Sequence, residues 1–116
     1  MDQELYEYKA RIIKAMAHAS RLMIIDALAN GEKCVCELQE IVGSDISTVS
    51  KHLSVLRNSG IVVSRKEGLQ VFYRLCVPCI LNFFGCVDAV IQDDAKRRQA
   101  ASGALSAGQQ VRYSLL

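Results

Sequence analysis

Five cysteines are the residues in this 116-residue chain with the most distinctive chemistry, and they fall into two clusters. Cys34 and Cys36 flank a single valine, and Cys76, Cys79 and Cys86 lie well downstream. Thiolates favour soft, thiophilic ions. With only His18 and His52 to accompany them, the sulfurs point to trivalent arsenic or antimony, cadmium or lead. All five, Cys34, Cys36, Cys76, Cys79 and Cys86, are candidate ligands. Spacing limits how they can pair. Residues two apart in a regular helix point roughly 200° apart. Cys34 and Cys36 can therefore share an ion only if the first turn of their helix is unwound, with Cys34 otherwise facing the core and Cys36 the solvent. Cys76 and Cys79 have the three-residue spacing of one helical face. Cys86 projects to nearly the same side but about 10 Å further along the axis. It cannot easily join that pair, but could meet a cysteine of a second copy if the last helices pack antiparallel.

Cys76-Val77-Pro78-Cys79 after a strand also imitates a thiol-disulfide oxidoreductase, in which a helix N-terminus lowers a thiol pKa. Such an enzyme needs further strands after the motif, and DDAKRRQAASGALSAGQQ offers none. No phosphate-cradling glycine loop or other catalytic constellation is present, so no enzymatic activity is expected. The same thiols could instead form a disulfide or persulfide in a redox or reactive-sulfur sensor.

Composition bounds the scaffold that holds these thiols. At 51% hydrophobic and 22% charged residues the chain is globular, and its length suits one domain. The N-terminus, MDQELYEYKARII, has no apolar signal core. The most apolar run, residues 76–91, is broken by Asn82 and Asp88 and is shorter than the ~20 residues that span a bilayer. A cytoplasmic protein with free or metal-bound thiols is expected, with neither membrane nor small organic substrate as partner.

The elements follow from periodicity. LYEYKARIIKAMA predicts a helix over 5–17. Ser20 can cap a second helix that stops at Asn30-Gly31, and a short third helix runs from about Cys36 to Val42, ending at Gly43. In DISTVSKHLSVLRNSG, Ile46, Val49, Leu53 and Leu56 form one apolar face, and Ser44 or Asp45 caps its start. The opposite face is small, hydroxyl-rich and basic. IVVSRKEGLQVFYRL predicts a hairpin with Lys66-Glu67-Gly68 as the turn. A last helix is expected over 76–92, with Pro78 in its first turn. The order predicts a mostly α fold with a β-hairpin wing, a winged helix-turn-helix, over residues 1–95. Residues 96–116 read as a tail or extension.

Charge supports this reading. Between Ser47 and Arg74 stand Lys51, Arg57, Arg65, Lys66 and Arg74 against one acid, Glu67. A helix in a major groove must bury one side and offer hydrogen-bonding side chains on the other, and a wing needs cations for phosphates. Ser47, Thr48, Ser50, Lys51, His52 and Arg57 form the expected DNA-facing set, with Arg65, Lys66 and Gln70 in the wing. His18 reads as structural, at a helix junction.

KAMAHASRLMIIDALANGE, then CVCEL, then DISTVSKHLSVLRNSGIVVSRKEGLQVFYRL resemble the ArsR/SmtB family of metal-responsive repressors over roughly residues 10–90. CVCEL is similar to the CVCDL box of its arsenic-, cadmium- and lead-responsive branches. The resemblance implies a homodimer built on the first and last helices. It also implies double-stranded operator DNA with two half-sites, and release by an ion or a thiol-reactive inducer. Where the arsenite-type box often has a third cysteine this chain has Gln39, so a trigonal site needs a ligand from elsewhere. The family's zinc site of Asp and His on the last helix has no counterpart, because neither histidine lies there.

Overall fold

The computed structural model describes residues 2–102. They divide between Pro78 and Cys79 into two units. The first holds α1 (Gln3–Met16), α2 (Ala19–Ala27), β1 (Lys33–Cys34), α3 (Val35–Val42), α4 (Ile46–Asn58), β2 (Val62–Glu67) and β3 (Gln70–Leu75). The second holds α5 (Ile80–Ser102). This is the winged helix-turn-helix expected from the sequence. Among the described residues no helix is long and apolar enough to cross a membrane.

The core of the first unit forms where the apolar faces of α2, α3 and α4 meet the base of the hairpin. Ile24, Ile25, Leu38, Val49, Leu53 and Leu56 are fully buried, and Ile61 and Val62 close the cluster. Burial of several such branched side chains, each worth about 1.5–3 kcal/mol, holds the short helices that could not persist alone. Ile46 departs from its expected role. It is half exposed, because it is the first residue of α4 and has no preceding turn to pack beneath.

Local signals set the helix ends. Asp2 caps α1 and Asp45 caps α4, each accepting a backbone N–H, that of Thr48 at 2.7 Å in the second case. The α2 cap is His18 rather than the expected Ser20: the His18 Nδ1 accepts the Ser20 N–H at 3.1 Å. Gly43 ends α3 with φ 81°, a left-handed conformation that any side chain would strain. It makes the sharp turn that brings α4 against α3.

β2 and β3 pair antiparallel from Val62↔Leu75 to Glu67↔Gln70, so the turn is Gly68-Leu69, one residue beyond the expected position. β1 adds a third strand that the sequence did not announce, giving the order β1-β3-β2. It pairs Lys33↔Tyr73 and Cys34↔Phe72. Two residues are too few to show an alternating pattern.

The last helix corrects the expected boundaries at both ends. It begins at Ile80, four residues later than expected, because Pro78 lacks an N–H and biases Val77 away from helical geometry. It also runs to Ser102, past the start of the expected tail. Solvated Asp93–Arg97 and Asp94–Arg98 pairs at i,i+4 support its later turns. The remainder of the expected tail, 103–116, lies outside the described residues.

Candidate functional site

The outer face of α4 follows from its inner one. With Val49, Leu53 and Leu56 fixed inward, Ser47, Ser50, Lys51 and Arg57 stand exposed and Thr48 half-buried. His52 does not belong with them. It is buried, at 8% exposure. Its Nδ1 accepts the Arg21 Nε–H at 3.1 Å, and its ring lies 4.4 Å from that of His18, tilted by 49°. Arg21 also donates to the Ala15 carbonyl at 3.1 Å. Burial, and then the neighbouring charges of His18 and Arg21, hold the His52 pKa below its usual value. His52 thus ties α4 to α2, and the expectation that it faces DNA is corrected.

The wing carries Arg65, Lys66 and Gln70, all exposed. Lys66 and Gln70 make no ion pair or hydrogen bond among the described side chains. Arg65, though exposed, is engaged by side chains of its own chain. It donates to both oxygens of Glu32, at 2.6 and 2.8 Å, and to Glu67 at 2.7 Å, and its guanidinium lies 4.7 Å from the centre of the Phe72 ring. These carboxylates raise the Arg65 pKa, and Arg65 holds Glu32 below the ordinary carboxylate range. The local count of charge missed this, because Glu32 lies 33 residues away in sequence.

The first thiol cluster is assembled differently from the expectation. Cys34 is not inside the helix. It is the extended cap of α3, with φ −79° and ψ 163°, while Cys36 is the second helical residue. The change of backbone direction between them lets the two free thiols converge, Sγ to Sγ, at 2.6 Å. No unwinding is required. Cys34 is buried and Cys36 exposed, as the projection implied. The Cys34 N–H donates to Glu37 Oε1 at 3.1 Å, which lowers the Glu37 pKa and fixes the start of α3. The Cys36 thiol against it is the main cause that pushes the Cys34 pKa up. Two adjacent sulfurs, one at the surface, fit a soft ion. No third His, Cys, Asp or Glu completes a metal-binding group among the described residues.

The second cluster loses its common helical face. Cys76 and Cys79 both precede α5, and only Cys86 lies within it. The Cys76 N–H instead closes the hairpin base on the Ile61 carbonyl at 2.9 Å. All three thiols are exposed.

Comparison with known proteins agrees with this architecture. Residues 18–64 match the family model described as bacterial regulatory protein, arsR family. An HTH-type transcriptional regulator of Methanocaldococcus jannaschii is 45% identical over 86 residues, covering 73% of this chain and 97% of that one. A cadmium resistance transcriptional regulatory protein CadC homolog of Staphylococcus aureus is 42% identical over 67 residues, covering 57% and 55%. The chain spans 39% of an HTH-type transcriptional regulator of Mycobacterium tuberculosis that it matches at 34% identity over 89 residues, 77% of its own length. Among solved structures, a homodimeric winged helix-turn-helix DNA-binding domain of Mycobacterium bovis superposes with a TM-score of 0.70. It is 32% identical and covers 82% of this chain and 88% of that one. The chain therefore belongs to the ArsR family of transcriptional regulators.

Proposed function

We propose that this protein is a homodimeric transcriptional repressor that binds double-stranded operator DNA and releases it when a thiophilic ion, trivalent arsenic first, is held by its cysteine thiolates. The observation that carries the reading is the convergence of Cys34 and Cys36 at the front of the helix-turn-helix. The same α3 that begins at this pair supports α4, whose outer face offers Ser47, Thr48, Ser50, Lys51 and Arg57 for a major groove. Lys66 and Gln70, with Arg65 beside them, are the wing's contacts to phosphate and groove edge.

Cys34 and Cys36 supply two thiolates, and Cys76, Cys79 and Cys86 remain candidate ligands for a thiophilic ion. The chemistry supplied at such a site is strong, directional sulfur coordination that stabilises one arrangement of the α3 start over another. A differential of about 1–3 kcal/mol weakens operator binding severalfold to a hundredfold. The likeness to a cadmium-resistance regulator and to a homodimeric neighbour supports both the soft ion and the dimer. Relatives that are transcriptional regulators support a non-enzymatic role.

Titration of operator-bound, reduced protein with arsenite, antimonite, cadmium, lead and zinc, followed by fluorescence anisotropy, tests this. Release is expected for the soft ions and is lost in Cys34→Ser/Cys36→Ser. Unchanged anisotropy with every ion sinks the metalloregulatory reading. The closeness of the two sulfurs also favours a second reading, a redox or reactive-sulfur sensor. Release by an oxidant or persulfide donor without metal, combined with indifference to arsenite under strict reduction, selects it.

A further inference from the structure

We infer that Glu32 is the positioning residue through which the state of the Cys34/Cys36 pair reaches the wing. This rests on the sensing reading above and deepens it.

The sheet register places the parts. Cys34 in β1 stands opposite Phe72 in β3, and Phe72 stands opposite Arg65 in β2. One row therefore crosses all three strands from thiol to guanidinium. Residues directly opposite share a face, and the Arg65 guanidinium lies over the Phe72 ring. Glu32 precedes Cys34 by two residues, and both its oxygens hold Arg65. The backbone from Glu32 to Cys34 is thus pinned at three points: to Arg65 by the carboxylate, to β3 by the Lys33 and Cys34 pairing, and to Glu37 by the Cys34 N–H.

That short segment also carries the buried thiol of the pair. There the two free thiols face each other, with Cys34 buried and Cys36 exposed. Cys36 lies in the first turn of α3, whereas Cys34 ends the two-residue β1 and caps that helix. Because Cys34 is bound on both sides, to β3 and to Glu37, a change in its position is carried along the backbone to Glu32 and so against Arg65. An ion pair this exposed contributes little to stability. Its consequence is where the wing guanidinium sits.

Glu67 provides the control, because it holds the same guanidinium from within the hairpin and has no backbone link to the thiols. The reduced full chain is titrated with arsenite while thiolate–arsenic absorption and the Arg65 Nε–H resonance are recorded. A resonance shift saturating with the absorption is expected in the wild type and in Glu67→Gln. In Glu32→Gln the absorption titrates alike but the resonance stays still. The arsenite-driven loss of operator affinity in Glu32→Gln falls to a third or less of the wild-type fold-change. A stationary Arg65 resonance in the wild type while the absorption saturates overturns the inference, whatever the operator does. Equal losses of coupling in Glu32→Gln and Glu67→Gln also overturn it, since they would show a general effect of wing charge. A shifting resonance without operator release leaves the coupling standing and overturns the repressor reading instead.

Discussion

Lys66 and Arg65 are neighbours in β2, yet only Arg65 is paired with carboxylates, those of Glu32 and Glu67. Phosphate binding releases counterions from DNA, and each neutralised phosphate contributes roughly 0.9 to the slope of log affinity against log salt. Lys66→Ala is expected to reduce that slope by up to about 0.9, and Arg65→Ala by less than half as much, measured by anisotropy across a salt series. An unchanged slope for Lys66→Ala removes it from the interface. His52 gives a second test at this scale. Its pKa lies below the usual value near 6.5, so between the two values the unfolded chain binds a proton that the folded chain refuses. The stability from its neutral, Arg21-bonded form is full above that usual value and is lost as pH falls through the window beneath it. Urea midpoints at about pH 7.5 and about pH 5.5 should differ less for His52→Gln than for the wild type. Equal differences would place the pH dependence elsewhere.

The helix-turn-helix depends on how its elements begin and end. Asp45 is the cap of α4, and the Thr48 N–H lowers its carboxyl pKa. Asp45→Ala should cost about 1 kcal/mol of unfolding free energy, and Asp45→Asn much less, because an amide oxygen can accept the same bond. Denaturant unfolding monitored by circular dichroism measures both. This cap was legible in the sequence, as were Gly43 and the apolar spacing of Val49, Leu53 and Leu56. Other boundaries were not. The His18 cap was hidden because serine is the commoner cap and Ser20 stood nearby. The start of α5 was misplaced because proline is accepted in a first helical turn and also just before one. β1 was missed because its extension is imposed by pairing with β3 rather than by its own two residues.

At the scale of the whole molecule, α5 presents Phe83, Val87 and Val90 to solvent along one stripe. Three apolar residues at that spacing on a surface helix mark a face that gains by burial. In the proposed homodimer a second copy covers it. Val87→Asp combined with Val90→Asp should shift the protein to monomers in sedimentation velocity. It should also weaken operator binding at least tenfold, because each subunit then meets a half-site alone. A double variant that remains dimeric excludes this stripe from the interface.

The sequence by itself determined the winged helix-turn-helix, the hydroxyl-rich outer face of α4 and the presence of a thiol pair before α3. Each rests on spacing within one element, and side-chain periodicity is a local property of the backbone. Only the tertiary structure decided that His52 turns inward to Arg21, that Glu32 holds Arg65, and that Cys34 and Cys36 converge without unwinding a helix. The first two join residues 31 and 33 positions apart, where strand register and helix packing choose the partner. The third depends on a strand only two residues long, which pairing with β3 extends up to the cap of α3.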